Sequence, residues 1–139
     1  SLSFVYGAYC AAAQPPPGVI LYALIAFSAN TGREVIKGIR DLEGDLRAGI
    51  CTLPCEVGVK ESAVIATVFV ALAIAMSIAA APFFPRIYAV FIAITDALFA
   101  FSAWLVLRRP LESAERARAL TLFGMLFAVL ALLLSSWFR

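Results

Sequence analysis

Apolar runs of about 20 residues dominate this sequence and determine whether most of it can lie in water or in lipid. The longest are "SAVIATVFVALAIAMSIAAA", "IYAVFIAITDALFAFSAWLVL" and "ALTLFGMLFAVLALLLSSWF", at 62–81, 87–107 and 119–138. A helix needs about 20 apolar residues to cross the hydrocarbon core of a bilayer. Only 14% of the residues are charged, whereas soluble domains have about 25%. The sequence therefore predicts a protein built from membrane-spanning helices.

A fourth span is predicted at 18–47, where the apolar run "GVILYALIAFSA" continues directly into a charged segment. The opening stretch at 1–13 is apolar but too short to cross a membrane, so we expect it to be the end of an earlier helix. These segments predict an all-α fold, a polytopic transmembrane helix bundle that forms one membrane domain over 1–139. The loops at the charged ends of the helices are expected at about 48–61 and 108–118.

Basic residues gather at alternate ends of the successive helices. One group lies between 33 and 60 and a second between 108 and 118, whereas the proline-rich turns carry only Arg86. Loops that carry an excess of Lys and Arg face the cytoplasm. We therefore predict an integral protein of the cell membrane, surrounded by membrane lipids, with both charged loops on the cytoplasmic side. Nothing in the charge pattern points to nucleic acid, which we do not expect as a partner.

The charged segment "NTGREVIKGIRDLEGDLR", at 30–47, separates into distinct polar, basic and apolar faces if it forms a helix. At 100° per residue, one arc of roughly 80° holds five polar side chains, those of Asn30, Glu34, Lys37, Asp41 and Asp45. Beside it runs a basic stripe of Arg33, Arg40 and Arg47. The opposite side is apolar and consists of Val35, Ile36, Ile39, Leu42 and Leu46. We expect the polar arc to line a cavity that opens to the cytoplasm.

The simplest alternative is a helix that leaves the membrane and ends in a solvated basic anchor. An anchor has no need of acidic side chains on the same face as a lysine, and polar groups near the hydrocarbon edge are costly unless they serve a site. Two carboxylates one helical turn apart, at Asp41 and Asp45, suit Mg²⁺ held against a diphosphate. Mg²⁺ takes a few carboxylate ligands and leaves its other positions to water and phosphate oxygens. The D-x-x-x-D spacing alone, however, occurs by chance in many helices.

The complete string "REVIKGIRDLEGDLRAGICTLP" is more specific than the pair of aspartates. It resembles the second aspartate-rich motif of the UbiA superfamily of intramembrane prenyltransferases, and it looks most like the archaeal branch that extends geranylgeranylglyceryl phosphate. The D-x-E-G-D core at 41–45, Gly49 and "TLP" at 52–54 carry the match, and the opening "LSFVYGA" resembles the end of the preceding helix in that family. The resemblance implies the second half of a nine-helix fold. The first aspartate-rich motif is missing here, so we expect it on an N-terminal half of the same protein.

The resemblance also implies an enzyme. Its reaction would be the Mg²⁺-dependent transfer of a polyprenyl group from an isoprenyl diphosphate to a lipid acceptor, with geranylgeranyl and geranylgeranylglyceryl phosphate as the expected pair. An aromatic acceptor such as 4-hydroxybenzoate is the alternative within the family. From composition alone, an ion or solute transporter fragment and a structural membrane subunit stay open as other classes.

Site residues follow from the same resemblance. Asp41 and Asp45 would bind the metal and, together with Lys37, would be the catalytic residues. In an alternative role, Asp41 would accept a proton from the attacking nucleophile. The substrate-binding residues would be Lys37, Asn30, Arg33 and Glu34.

Asp96 is an acidic residue near the middle of an otherwise apolar span. An acid at that depth costs about 2.5 to 3.5 kcal/mol on insertion scales, so the residue requires a reason. It either faces the central cavity, or it forms a hydrogen bond within the bundle, with Thr95 or Ser102 as candidate partners. The sequence favours neither interpretation.

The three cysteines, Cys10, Cys51 and Cys55, form no recognisable metal-binding pattern in a chain without histidine. A disulfide is not expected in a cytoplasmic loop. We therefore interpret them as small apolar side chains that fill space.

Overall fold

The computed structural model describes residues 17–83 and 86–137, and over these ranges it is helical, without a β-strand. The elements are α1 (Pro17–Arg47), α2 (Leu53–Glu56), α3 (Val59–Ala80), a 3₁₀ turn (Ala81–Phe83), α4 (Arg86–Arg108) and α5 (Pro110–Trp137). The predicted all-α class is confirmed. The stretch predicted to end an earlier helix, 1–13, lies outside the described residues.

Three of the helices contain segments long enough and apolar enough to cross a membrane, at Val19–Arg47, Val59–Ala80 and Ala89–Arg108. The apolar run predicted as a further span at 119–138 belongs to α5 as far as Trp137, where the described residues end. Large apolar side chains remain exposed along the outside of the bundle, including Val68 on α3 and Phe123 on α5. An exterior of this kind suits lipid rather than water, because soluble proteins rarely expose extended apolar surfaces. The chain is therefore a polytopic membrane bundle.

The four long helices pack in a closed ring. Helix α1 contacts α3 and α5, α3 contacts α4, and α4 has its most extensive contact with α5. The connection between α4 and α5 is only one residue, Arg109, and the hydroxyl of Ser113 donates a hydrogen bond to the carbonyl of Leu105 across it (2.8 Å). Where the sequence predicted a loop at 108–118, the structure therefore has the first turns of α5.

Small residues allow the helices to approach closely. A Cβ atom at Gly32 on α1 would lie 3.0 Å from Cγ2 of Val70 and 3.1 Å from the carbonyl oxygen of Ala66, both on α3. At Gly124 on α5 it would lie 2.8 Å from Cε2 of Phe99 on α4. In a bilayer, helices associate largely through such close packing, since lipid tails are as apolar as the helices. The glycines therefore set the distances between two pairs of helices.

Helix α1 ends just after the charged segment through a hydrogen-bonded cap. The amide of Ile50 donates to the carbonyl of Asp45 (2.8 Å), and the amide of Gly49 donates to the carbonyl of Leu46 (3.1 Å). This is the Schellman pattern, which requires a left-handed residue at its centre. Gly49 supplies it with φ of 73°. The cap ends α1 at Arg47, so the carboxylates of Asp41 and Asp45 lie in the last turns of the helix.

A disulfide joins Cys51 and Cys55, whose Cα atoms are 5.5 Å apart. The interpretation of these two cysteines as unpaired apolar side chains is therefore wrong, and Cys10 lies outside the described residues. The physical reason is local, because the turn that begins at Thr52 brings the two residues together. The carbonyl of Thr52 accepts hydrogen bonds from the amides of Cys55 (2.8 Å) and Glu56 (3.3 Å). The resulting Cα separation lies within the range that a disulfide needs.

Candidate functional site

The C-terminal part of α1 has one apolar face, which is buried, and one charged face. Ile36 and Ile39 are buried against alanines of α3 and α5 and against Val106 of α4. The five residues of the predicted polar arc are exposed or half-buried: Asn30, Glu34, Lys37, Asp41 and Asp45. The apolar face is shorter than the sequence suggested, since Leu46 is 54% exposed. The last turn of α1 therefore projects beyond the bundle, and the charged residues lie at its margin.

Glu34 forms ion pairs with two cationic side chains on its own helix, those of Arg33 and Lys37. Its Oε1 accepts a hydrogen bond from Nη1 of Arg33 (2.8 Å), and its Oε2 lies 3.8 Å from Nζ of Lys37. The Nε atom of Arg33 is buried and finds no hydrogen-bond partner within the described part of the chain. Of the predicted substrate-binding residues, Arg33 and Lys37 thus both contact Glu34.

Asp41 is paired with Arg40, although the helical wheel assigns them to different stripes. Nε of Arg40 donates to Oδ1 of Asp41 at 2.6 Å. Adjacent residues on a helix point 100° apart, but the long arginine side chain reaches across this angle. The acidic arc and the basic stripe are therefore connected, and the Asp41 carboxylate is held by a guanidinium.

Arg40 also connects α1 to α5. Its Nη1 donates to Oε2 of Glu115 (3.2 Å), and the other oxygen of Glu115 accepts a hydrogen bond from Nη2 of Arg118 (3.1 Å). The hydrogen bonds from Arg118 and Arg40 lower the pKa of Glu115 below its ordinary value. Sequence reasoning missed this residue because it placed 108–118 in a solvated loop. Only the packing of α5 on α1 brings Glu115 to the site.

The carboxylates of Asp41 and Asp45 have the chemistry of a partial Mg²⁺ site. They lie one helical turn apart, and no hydrogen bond or ion pair to the Asp45 carboxylate comes from the residues described. Within those same ranges, no group of three or more His, Cys, Asp or Glu residues is placed to hold a metal ion. Mg²⁺ is commonly held by only one or two carboxylates, with waters and substrate phosphates as the other ligands. The pair therefore fits Mg²⁺ that is shared with a phosphorylated substrate.

A cavity of about 380 Å³ lies between the four long helices. Its lining is mainly apolar and includes Ala26 of α1, Ile74 of α3, Phe99 of α4 and Met125 of α5. Asn30 lines it as well, so the cavity meets the polar arc at that residue. The volume lies within the range of pockets that bind small molecules, and the lining suits an apolar chain.

Asp96 faces this cavity and forms a hydrogen bond to a neighbouring helix, so both sequence interpretations hold at once. The hydroxyl of Ser77 on α3 donates to its Oδ2 at 3.0 Å. The suggested partners are wrong, because the hydroxyl of Thr95 donates to the carbonyl of Phe91 (3.0 Å) and that of Ser102 to the carbonyl of Phe99 (2.8 Å). Ser77 gave no signal in the sequence, where it lies within a run of small and apolar residues.

Comparison with known proteins gives a consistent picture. The model of the UbiA prenyltransferase family matches residues 1–130. Digeranylgeranylglyceryl phosphate synthase of Thermococcus kodakarensis is 38% identical over 120 residues, covering 84% of this chain and 43% of the relative. The protein of the same name from Archaeoglobus fulgidus is 30% identical over 132 residues, covering 91% of this chain and 45% of the relative.

A third relative with this name, from Halobacterium salinarum, is 45% identical over 75 residues, which cover 54% of this chain and 26% of the relative. The chain thus spans less than half of the length of the curated relatives that it matches. No solved structure shows a significant match.

Proposed function

Because the chain belongs to the UbiA prenyltransferase family, we propose that it forms part of a membrane enzyme that transfers a geranylgeranyl group from its diphosphate to geranylgeranylglyceryl phosphate. The observation that carries the proposal is the pair of carboxylates at Asp41 and Asp45, on a helix that also lines an apolar cavity. The relatives are digeranylgeranylglyceryl phosphate synthases, which supports the choice of substrates. Because the chain spans less than half of these relatives, we assign the activity to a longer polypeptide in which an N-terminal half would supply the other aspartate-rich motif.

Each end of the substrate has a matching environment. Asp41 and Asp45 would hold Mg²⁺, which when bound would offset the negative charge of the diphosphate leaving group. The ammonium of Lys37 and the guanidinium of Arg33 would be the donors for phosphate oxygens. The prenyl chain would occupy the cavity, where burial of its apolar surface stabilises the complex. The substrate then lies along α1, with its diphosphate beyond Asn30 towards the charged end.

The arrangement favours heterolysis of the allylic C–O bond. Charge grows on the diphosphate as the bond breaks, and cationic groups fixed in advance stabilise that charge better than mobile water does. The bonding electron pair leaves with the diphosphate, the acceptor hydroxyl attacks the allylic carbon, and the hydroxyl proton passes to the released diphosphate. We assign Asp41 the role of metal ligand, because it lies one helical turn from Asp45 and one metal ion could be shared by the two carboxylates.

The charged end of α1 is assigned to the cytoplasmic side of the cell membrane. Arg33, Lys37 and Arg40 lie near this end, and Arg109 and Arg116 lie near the start of α5 at the same end of the bundle. Concentrated basic residues are typical of cytoplasmic loops. On this side the site would be accessible to the phosphorylated headgroup of a lipid acceptor in the inner leaflet.

The proposal is tested with the full-length protein in detergent or liposomes. We expect it to transfer the prenyl group of geranylgeranyl diphosphate to geranylgeranylglyceryl phosphate, to lose this activity in EDTA, and to regain it when Mg²⁺ is added. The product is detected by mass spectrometry. Transfer to 4-hydroxybenzoate alone would move the assignment to an aromatic acceptor. Transfer that is indifferent to EDTA would overturn the metal role.

The cavity makes a separate prediction about chain length. Ala26→Phe would place a ring in the space assigned to the prenyl chain, and overpacking of this kind typically costs about 1–3 kcal/mol. We expect transfer from geranylgeranyl diphosphate to fall by about tenfold or more, and transfer from the shorter dimethylallyl diphosphate to fall much less. The measurement is kcat/KM for both donors. Ala93→Phe is the control, because Ala93 is exposed and does not line the cavity. Equal losses for both donors would contradict the assignment.

A further inference from the structure

We infer that Glu115 on α5 is a positioning residue that draws Arg40 away from Asp41 and thereby sets how tightly the Asp41–Asp45 pair binds Mg²⁺. The inference rests on the proposed function, since it assumes that Asp41 is a metal ligand. It assigns a role to a residue that lies 75 positions from Arg40 in the chain and outside the aspartate-rich motif.

The geometry is a continuous relay of charged groups from α5 to α1. Arg118 donates to one oxygen of Glu115, and Arg40 donates from Nη1 to the other oxygen at 3.2 Å. The same guanidinium donates from Nε to Asp41 at 2.6 Å. Arg40 therefore binds two carboxylates at once through different nitrogens. A shift of its side chain towards one of them weakens its contact with the other.

The backbone around this relay is held by tightly packed neighbours. Ala114 and Ala117, on either side of Glu115 along α5, are 0% exposed and pack in one cluster with Ile36 and Ile39 of α1. Ile39 directly precedes Arg40. The two helices therefore cannot separate easily, and Glu115 remains within reach of the guanidinium whichever carboxylate the guanidinium favours.

Competition for Asp41 gives the relay its function. Arg40 is always charged, and its Nε and Nη2 atoms both contact Oδ1 of Asp41. The guanidinium therefore opposes Mg²⁺ at Asp41 by electrostatic repulsion, although Oδ2 of Asp41 has no partner among the residues described. Glu115 offers Arg40 a second anionic partner, already in contact, so the guanidinium can move away from Asp41 without losing an ion pair. Without Glu115, Asp41 would be the carboxylate remaining to Arg40 among the residues described, and the positive charge would stay beside the metal site.

The test measures metal affinity directly and needs no turnover. Mn²⁺ is bound to the full-length protein in detergent without substrate, followed by the electron paramagnetic resonance of the free ion, and then displaced by Mg²⁺. We expect Glu115→Gln to weaken binding by about threefold or more, which is the size of effect expected for a half-exposed ion pair. Arg40→Gln should strengthen binding, because it frees Asp41.

The double variant separates this relay from a general effect of charge. If Glu115 acts through Arg40, then Arg40→Gln/Glu115→Gln binds Mn²⁺ as tightly as Arg40→Gln alone. If Glu115 only adds negative potential, its loss weakens binding equally in both backgrounds, and the inference is overturned. Glu112→Gln is the matched control, because it removes the same charge one turn earlier on α5, from an exposed pair with Arg109. It should bind Mn²⁺ like the unmodified protein.

A further variant keeps this inference distinct from the proposed function. Asp41→Asn should abolish tight Mn²⁺ binding if Asp41 is a ligand. Should Asp41→Asn leave binding unchanged, the metal site itself has been misassigned and both ideas fail. Should Asp41→Asn abolish binding while Glu115→Gln has no effect, only the positioning role of Glu115 is lost.

Discussion

Asp41→Asn and Asp45→Asn are each expected to lower prenyl transfer by about 100-fold or more while leaving the helix bundle folded. An amide has the shape of the carboxylate but no charge, so it cannot replace an anionic oxygen ligand of Mg²⁺. The loss should reach the range seen when one group that stabilises transition-state charge is removed, about 10²–10³ in kcat. The measurement is the initial rate for the full-length variants at saturating donor and over a range of Mg²⁺ concentrations.

Folding should be nearly unaffected because neither side chain belongs to the core. Asp41 and Asp45 lie on the side of α1 that is not buried, and the buried cluster nearby is formed by apolar residues. Glu56→Gln serves as the control, since Glu56 is an exposed carboxylate at the same end of the bundle. It should retain activity and the thermal midpoint of the unmodified protein. Normal rates in both aspartate variants would refute the metal role.

The helical architecture and the polar arc could be predicted because both depend on local patterns. Hydropathy over about 20 residues identifies a membrane-spanning helix, and a period of 3.6 residues decides which side chains share a face. Ile36 and Ile39 lie on the apolar side of the wheel and are buried in the bundle. Gly49 is another local feature, because the cap that ends α1 requires its positive φ.

Contacts between distant helices could not be predicted in this way. The hydrogen bond from Ser77 to Asp96 depends on how α3 and α4 align, and the pairing of Arg40 with Glu115 depends on how α1 and α5 align. No periodicity within a single helix contains that information. The Cys51–Cys55 disulfide was missed for another reason. The prediction considered the redox state of the compartment, whereas the turn at Thr52 brings the two Cα atoms within the range that a disulfide needs.

Gly32→Val is expected to lower the free energy of unfolding by about 1–3 kcal/mol, the usual range for overpacking a tight interface. A Cβ atom at this position would already lie 3.1 Å from the backbone oxygen of Ala66. A backbone atom can move only if α3 moves with it, and the nearby Val70 is itself 1% exposed and has little room to yield. The two helices must therefore separate. Because Gly32 lies between Asn30 and Glu34, this shift should also displace the polar arc and reduce turnover.

Gly44→Val isolates the effect of packing from the intrinsic effect of the substitution. It makes the same change on the same helix, but a Cβ atom at Gly44 would have nothing within 4 Å. Replacing glycine by valine within a helix is mildly favourable by propensity, so Gly44→Val should unfold at the temperature of the unmodified protein or slightly above it. Thermal unfolding of the full-length protein in detergent, followed by circular dichroism, compares the two variants. Equal midpoints would mean that α1 and α3 have room to accommodate the added side chain, and that close approach at Gly32 does not hold the charged end of α1 in place.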